Sequence, residues 1–123
     1  MGNPQRMEVW YANIPLHDGS SIQGGSRPVV IVSNDICNSV STVMTVAPMT
    51  RRMKKLALPT HVVIEAPDGR KSVVLAEQIM PIDRAFLTNK MGNVKDGDVA
   101  KIEAALKEQL GIKDQPEIRG EKI

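Results

Sequence analysis

Arg27 is the residue whose surroundings point most directly to chemistry. It follows the glycine-rich stretch Gly19-Ser20-Ser21-Ile22-Gln23-Gly24-Gly25-Ser26 and, through Pro28, opens onto the apolar run Val29-Val30-Ile31-Val32. A guanidinium at the mouth of a buried strand must be paired or face a ligand, because burying it alone is too costly. Its planar fork of donors matches the oxygens of a phosphodiester. Pairing with a carboxylate fits the same position equally well. The one dense basic cluster, Arg51-Arg52-Met53-Lys54-Lys55, reads either as a solvated loop or as a local phosphate-facing edge.

Other chemistries find less support. The glycines of the 19–26 stretch have phosphate-loop spacing, but no Lys follows and the stretch leads into a strand, so a triphosphate cradle is not expected. A flexible loop whose glycines let backbone approach a ligand fits better. His17 and His61 are the only histidines, with no carboxylates at ligand spacing, and Cys37 is the only cysteine, so neither a metal site nor an internal disulfide is expected. A lone cysteine suits a reducing cytosol or a small buried side chain. Asp96-Gly97-Asp98 resembles half a calcium loop, but helix capping explains it. No Gly-x-Ser-x-Gly elbow of a serine hydrolase occurs.

The elements that must position these residues read mainly as β. Strands are expected at 8–14, 29–32, 42–49, 60–65, 71–79 and 88–94. A little helix is expected within 34–41, a basic loop over 50–58, and a short helical turn from Pro81-Ile82-Asp83 towards Phe86. Val29 to Val32 is a β-branched run of the kind buried on both faces. Pro67-Asp68-Gly69 is a hairpin turn signature. Val99, Ile102, Leu106 and Leu110 then recur at helical spacing, with Asp96 or Asp98 as the expected cap and Gly111 as the stop. The expected architecture is mainly β, a small antiparallel β-barrel with a C-terminal helix. One domain spans 1–112, followed by a charged tail over 113–123.

Composition bounds the reading further. The chain has 123 residues, 41% of them hydrophobic and 24% charged, which suits one globular domain and neither a disordered nor a membrane protein. The polar first residues, 1–6, do not read as a signal peptide, and a cytoplasmic location is expected. Aromatics are only Trp10, Tyr11 and Phe86, and the net charge is +2. Both argue against a sheet carpeted with base-stacking rings and against strong non-specific nucleic-acid binding.

A specific resemblance emerges from the blocks taken together. The segment 23–35, Gln-Gly-Gly-Ser-Arg-Pro-Val-Val-Ile-Val-Ser-Asn-Asp, resembles the signature of the MazF/PemK family of type II toxin endoribonucleases. Val9-Trp10-Tyr11-Ala12, Thr45-Val46-Ala47-Pro48-Met49-Thr50, Leu58-Pro59-Thr60-His61-Val62 and Leu75-Ala76-Glu77-Gln78-Ile79 follow the family in order and spacing, over roughly residues 7–110. The resemblance implies the barrel type shared with the CcdB gyrase poison, a homodimer, and a cognate antitoxin that wraps it. It implies cleavage of single-stranded RNA at a short sequence without a metal or other cofactor. The family's catalytic Arg falls on Arg27 and its catalytic Thr on Thr50. Gln23, Gly24, Asn34, Arg51, Glu77 and Gln78 are the candidates for RNA binding, and His61 is a candidate proton acceptor outside the family's catalytic set. Three departures stand out: Ile22 replaces a common loop Glu, Met7-Glu8 replaces the Gly-Asp that opens the first strand, and Pro48-Met49 replaces small or aliphatic residues just before Thr50. A gyrase poison on the same fold, or an inactive binding module, are the competing functions. The CcdB branch carries a Trp near its C-terminus, and the sole Trp here is Trp10.

Overall fold

The computed structural model describes residues 3–15, 19 and 23–113; His17, Ile22 and the tail beyond residue 113 lie outside them. The strands are β1 (Glu8–Ile14), β2 (Gly25–Ile31), β3 (Val43–Thr50), β4 (His61–Glu65), β5 (Lys71–Leu75), β6 (Met80–Asp83) and β7 (Leu87–Asn93). Every pairing is antiparallel, in the order β4-β5-β3-β2-β1-β7, with β6 also paired to β3. The sheet is barrel-like without closing, and β4 and β7 remain its edges.

Strand β2 is the centre of this sheet, and its sequence explains why. Val29, Val30 and Ile31 are all fully buried. Successive side chains of a strand point to opposite faces. Val29 and Ile31 accordingly pack with Met44, Val46 and Ile82 on one side, while Val30 packs with Val9, Ala47, Met49 and Val74 on the other. Ile102 and Ala105 of helix α2 (Asp96–Leu110) join that second cluster. A sheet covered on both faces wants an unbroken β-branched run, and each such buried side chain contributes about 1.5–3 kcal/mol.

The chain departs from the sequence reading at four places. Strand β2 begins at Gly25, because β1 pairs with it as far as Ile14 opposite Gly25. The strand expected over 71–79 ends at Leu75 and gives way to a 3₁₀ turn, Ala76–Gln78. Pro81-Ile82-Asp83, expected to start a helical turn, belongs instead to β6, and the helical turn comes after it at Arg84–Phe86. The cause is long-range: β3 offers Val43–Val46 to β6 and Met49–Thr50 to β5, so the chain must step from one partner segment to the next. The 76–78 turn is that step. Finally, the cap of α2 is Lys95, which makes no side-chain capping bond. Asp96 and Asp98 lie in the first turn instead, where their charge complements the helix dipole. Gly111 ends the helix at φ 69°, as expected of a stop glycine. The short helix α1 (Asp35–Val40) is capped by Asn34, whose side-chain oxygen accepts the Cys37 N–H at 2.9 Å.

The entrance to β1 is tightly determined. Met7 adopts φ 70°, the left-handed region that favours glycine. It is held there by its N–H to the Ile31 carbonyl at 2.7 Å and by the Val94 N–H to its own carbonyl at 2.9 Å. Beside it, the buried Glu8 carboxylate accepts from Trp10 Nε1 and from the Gln5 N–H, both at 2.9 Å, and pairs with Lys90 at 3.0 Å. Burial pushes the Glu8 pKa up, but the Trp10 and Gln5 hydrogen bonds and the Lys90 charge outweigh it and leave the pKa lowered.

Two outcomes follow from these contacts. A Cβ added at Gly92 would sit 2.5 Å from Pro67 Cβ, so Gly92→Ala is expected to destabilise by about 1–3 kcal/mol in urea unfolding. Glu8→Gln is expected to cost about 1–3 kcal/mol at pH 7, because the charge-assisted bonds are lost. A lowered carboxylate pKa gives stability that is complete above the unfolded value of 4.5 and lost as pH falls below it. Wild-type stability should therefore drop on acidification below that pH, and the loss should be smaller in Glu8→Gln.

Candidate active site

The β2–β3 ladder sets Val29 opposite Pro48 and Ile31 opposite Val46; continued two residues, this register brings Arg27 level with Thr50. Twenty-two residues separate the two in sequence, so their approach is a product of strand pairing. The Arg27 side chain is fixed by two backbone carbonyls. Its Nε donates to Gly24 at 3.0 Å and its Nη1 to Met49 at 3.1 Å. Among the described residues no carboxylate pairs with it, which removes the ion-pair alternative there, and none accepts a hydrogen bond from Nη2. Burial first, and the like charge of Arg52 second, push the Arg27 guanidinium below its ordinary pKa. It remains charged, since a guanidinium does not deprotonate in proteins. A half-buried cation that lacks a counter-ion is an electrostatic demand for an anion.

Thr50 ends β3, where Met49 and Thr50 pair with Val74 and Val73 of β5. Its Oγ1 accepts the Arg52 N–H at 3.2 Å. An oxygen that accepts from backbone leaves its own hydrogen to be donated. Thr50 lines a cavity of about 320 Å³ together with Gln23, Arg52, Lys54, Lys55, His61, Glu77 and Gln78. The cavity wall thus carries three cations from the basic loop, one hydroxyl and several amide and carboxylate groups.

The opposite wall is organised by the 76–78 turn. Glu77 Oε2 lies 2.6 Å from His61 Nε2, and the Lys54 carbonyl lies 3.4 Å from its Nδ1, so each ring nitrogen faces an oxygen. Glu77 Oε1 is buried and accepts no hydrogen bond from the described residues. The next residue, Gln78, accepts the Gln23 N–H at 2.8 Å through its side-chain oxygen. One short turn therefore fixes an imidazole on one side and the approach to Arg27 on the other.

Four of the six residues read from sequence as RNA-binding candidates gather here. Gln23, Glu77 and Gln78 line the cavity, and Gly24 supplies the carbonyl that holds Arg27. Asn34 and Arg51 are not among the lining residues. Asn34 is used as the cap of α1, and Arg51 pairs with Asp68 across the exposed hairpin at 2.7 Å. That Arg51 hydrogen bond is the main cause holding the Asp68 carboxyl below its usual pKa, with the Arg70 N–H adding to it. Arg52 takes the place expected of Arg51.

The comparisons with known proteins agree with this architecture. The family model for "PemK-like, MazF-like toxin of type II toxin-antitoxin system" matches residues 5–110. Endoribonuclease EndoA of Bacillus subtilis (strain 168) is 40% identical over 113 residues, covering 89% of this chain and 97% of that protein. MazF (Form-I) from Deinococcus radiodurans superposes with a TM-score of 0.77 at 26% identity, over 90% of this chain and 99% of that one. A MazE-MazF structure (Form-III) from the same organism gives a TM-score of 0.73 at 25% identity, over 91% and 100% of the two chains. Matched in family model, in sequence and in backbone over nearly its whole described length, this chain belongs to the PemK-like, MazF-like toxins of type II toxin–antitoxin systems.

Proposed function

We propose that this protein is an endoribonuclease toxin that cleaves single-stranded RNA at the Arg27–Thr50 junction. The observation that carries the reading is the half-buried Arg27, whose fork is aimed by two carbonyls and lacks a counter-ion among the described residues, level with the Thr50 hydroxyl. The name of the Bacillus relative, an endoribonuclease, supports the same activity.

The reaction is a transesterification. The ribose 2′-oxygen attacks phosphorus, the bond to the 5′-oxygen of the next nucleotide breaks, and that oxygen leaves as a 5′-hydroxyl after taking a proton. The product end is a 2′,3′-cyclic phosphate, open to hydrolysis to a 3′-phosphate. Negative charge grows on the non-bridging oxygens, so positioning and electrostatic stabilisation carry most of the catalysis. Arg27 forks onto those oxygens, and Thr50 donates one further hydrogen bond. Neutralising the oxygens also favours loss of the 2′-hydroxyl proton, which passes to water or to a second group; His61 lines the cavity but both of its ring nitrogens face oxygens, of Glu77 and Lys54, so water is the better acceptor. Arg52, Lys54 and Lys55 draw the RNA backbone into the cavity, while Gln23 faces the bases. No metal enters this scheme.

The MazE-MazF relative supports an antitoxin partner that covers the RNA groove, and the family resemblance supports a homodimer acting in the cytoplasm. No helix among the described residues is long and apolar enough to cross a membrane. The gyrase-poison reading has less to work with. Trp10, the sole Trp, is tied to Glu8 through its indole N–H and packs against the cluster of Val29 and Ile31.

Two measurements test the reading. Purified protein incubated with a long structure-free RNA in EDTA should yield 5′-hydroxyl ends at one short motif; uncut RNA would turn the weight to a binding module. Arg27→Lys keeps the charge but loses the fork, and Thr50→Val keeps the shape but loses the hydroxyl. Each should lower the single-turnover rate about 10²- to 10³-fold, or about 3–4 kcal/mol.

A further inference from the structure

We infer that Gln78 is a positioning residue for the Arg27 guanidinium, and that it acts through the backbone at Gln23–Gly24 without touching the reacting atoms. The inference rests on the reading of Arg27 as the phosphate clamp. Three bonds in series carry it. The Gln78 side-chain oxygen accepts the Gln23 N–H at 2.8 Å. The Gln23 N–H lies in the peptide before Gln23 and the Gly24 carbonyl in the peptide after Gly24, so pinning that N–H leaves only the dihedrals of these two residues between a fixed point and the carbonyl. The Gly24 carbonyl accepts Arg27 Nε at 3.0 Å.

The anchor matters because of where it sits. Gly24 precedes β2 and lies beyond the last ladder pair, Ile14 with Gly25. No strand pairing therefore holds the Gly24 carbonyl. Glycines on either side of the Gly24–Gly25 bond give the backbone wide conformational freedom. The second Arg27 acceptor, the Met49 carbonyl, is in β3 and fixed by the sheet. One end of the fork is thus held by the sheet and the other by the Gly24 backbone, which Gln78 ties down from the 76–78 turn, 55 residues from Gln23 in sequence. Gln78 also lines the cavity, so the rival role is direct contact with a base.

Two substitutions separate these roles. Gln78→Met keeps length and shape but has no oxygen acceptor; Gln78→Glu keeps the acceptor. In Gln78→Met, amide hydrogen exchange at Gln23 should accelerate about tenfold. The Arg27 Nε–H resonance should shift, and kcat should fall about 10- to 100-fold with KM nearly unchanged and the cleavage motif the same. Gln78→Glu should restore kcat to within about threefold of wild type once added salt screens its charge. Unchanged Gln23 exchange, or an unmoved Arg27 resonance, in Gln78→Met would overturn the positioning role. So would an altered cleavage motif, which would assign Gln78 to base reading. The two resonances are read on the free protein, so they decide the matter even if wild-type protein leaves RNA intact and the nuclease reading fails.

Discussion

A guanidinium that is partly removed from water and has no carboxylate beside it among the described residues is an unusual object, and the architecture around Arg27 is built to hold one. Neutral carbonyls of Gly24 and Met49 satisfy two of its edges and set its direction without cancelling its charge. A carboxylate in their place would have stabilised the fold and removed the demand for an external anion. The like charge of Arg52 works the same way, raising the free energy of the unoccupied site and favouring a phosphate. Stability is given up locally and supplied by the β2 core behind it, where Val29, Val30 and Ile31 are fully buried on two faces.

The 3₁₀ turn Ala76–Gln78 is the second organising feature. It exists because β3 lends different lengths of one edge to β5 and β6, and the chain must cross between them. That crossing happens against the cavity, so the two polar residues of the turn face opposite walls of it. Glu77 fixes His61 at the start of β4, and Gln78 holds the backbone before β2. A topological necessity of the sheet thereby becomes the frame of the site. Helix α2 backs this turn and β4, burying Ile102 and Ala105 behind them, which ties the frame to the larger core cluster.

Much of the local structure was legible because it depends on local chemistry. The β-branched run at 29–32, the Pro-Asp-Gly hairpin, the periodic apolar face of α2 and its glycine stop each follow from neighbouring residues. The misreadings share one cause. Pro81 looks like a helix starter when taken alone, yet it stands opposite Thr45 as a strand residue on one side of β3. Asp96 and Asp98 look like caps, yet the chain enters the helix one residue earlier. Arg51 and Arg52 are equivalent as letters, and only the folded chain shows that Arg51 pairs with Asp68 while Arg52 lines the cavity. Asn34 reads as a polar group near the signature segment, but α1 uses it as a cap. Met7 is the reverse case: nothing in its side chain announces a left-handed backbone, and its φ of 70° is visible only in the folded chain.

The sequence by itself determined the chemical types and the strand content. It holds one Arg at the mouth of a buried strand, one basic loop, two histidines, one cysteine and a balanced charge, and a resemblance that names Arg27 and Thr50. Tertiary structure decided which of these groups meet. Distances between residues far apart in the chain depend on ladder register, and register is set by the burial of whole strands rather than by any short motif. The β2–β3 register sets Arg27 beside Thr50, the step in β3 pairing turns Glu77 to His61 and Gln78 to Gln23, and the absence of a carboxylate near Arg27 among the described residues leaves its charge for a ligand.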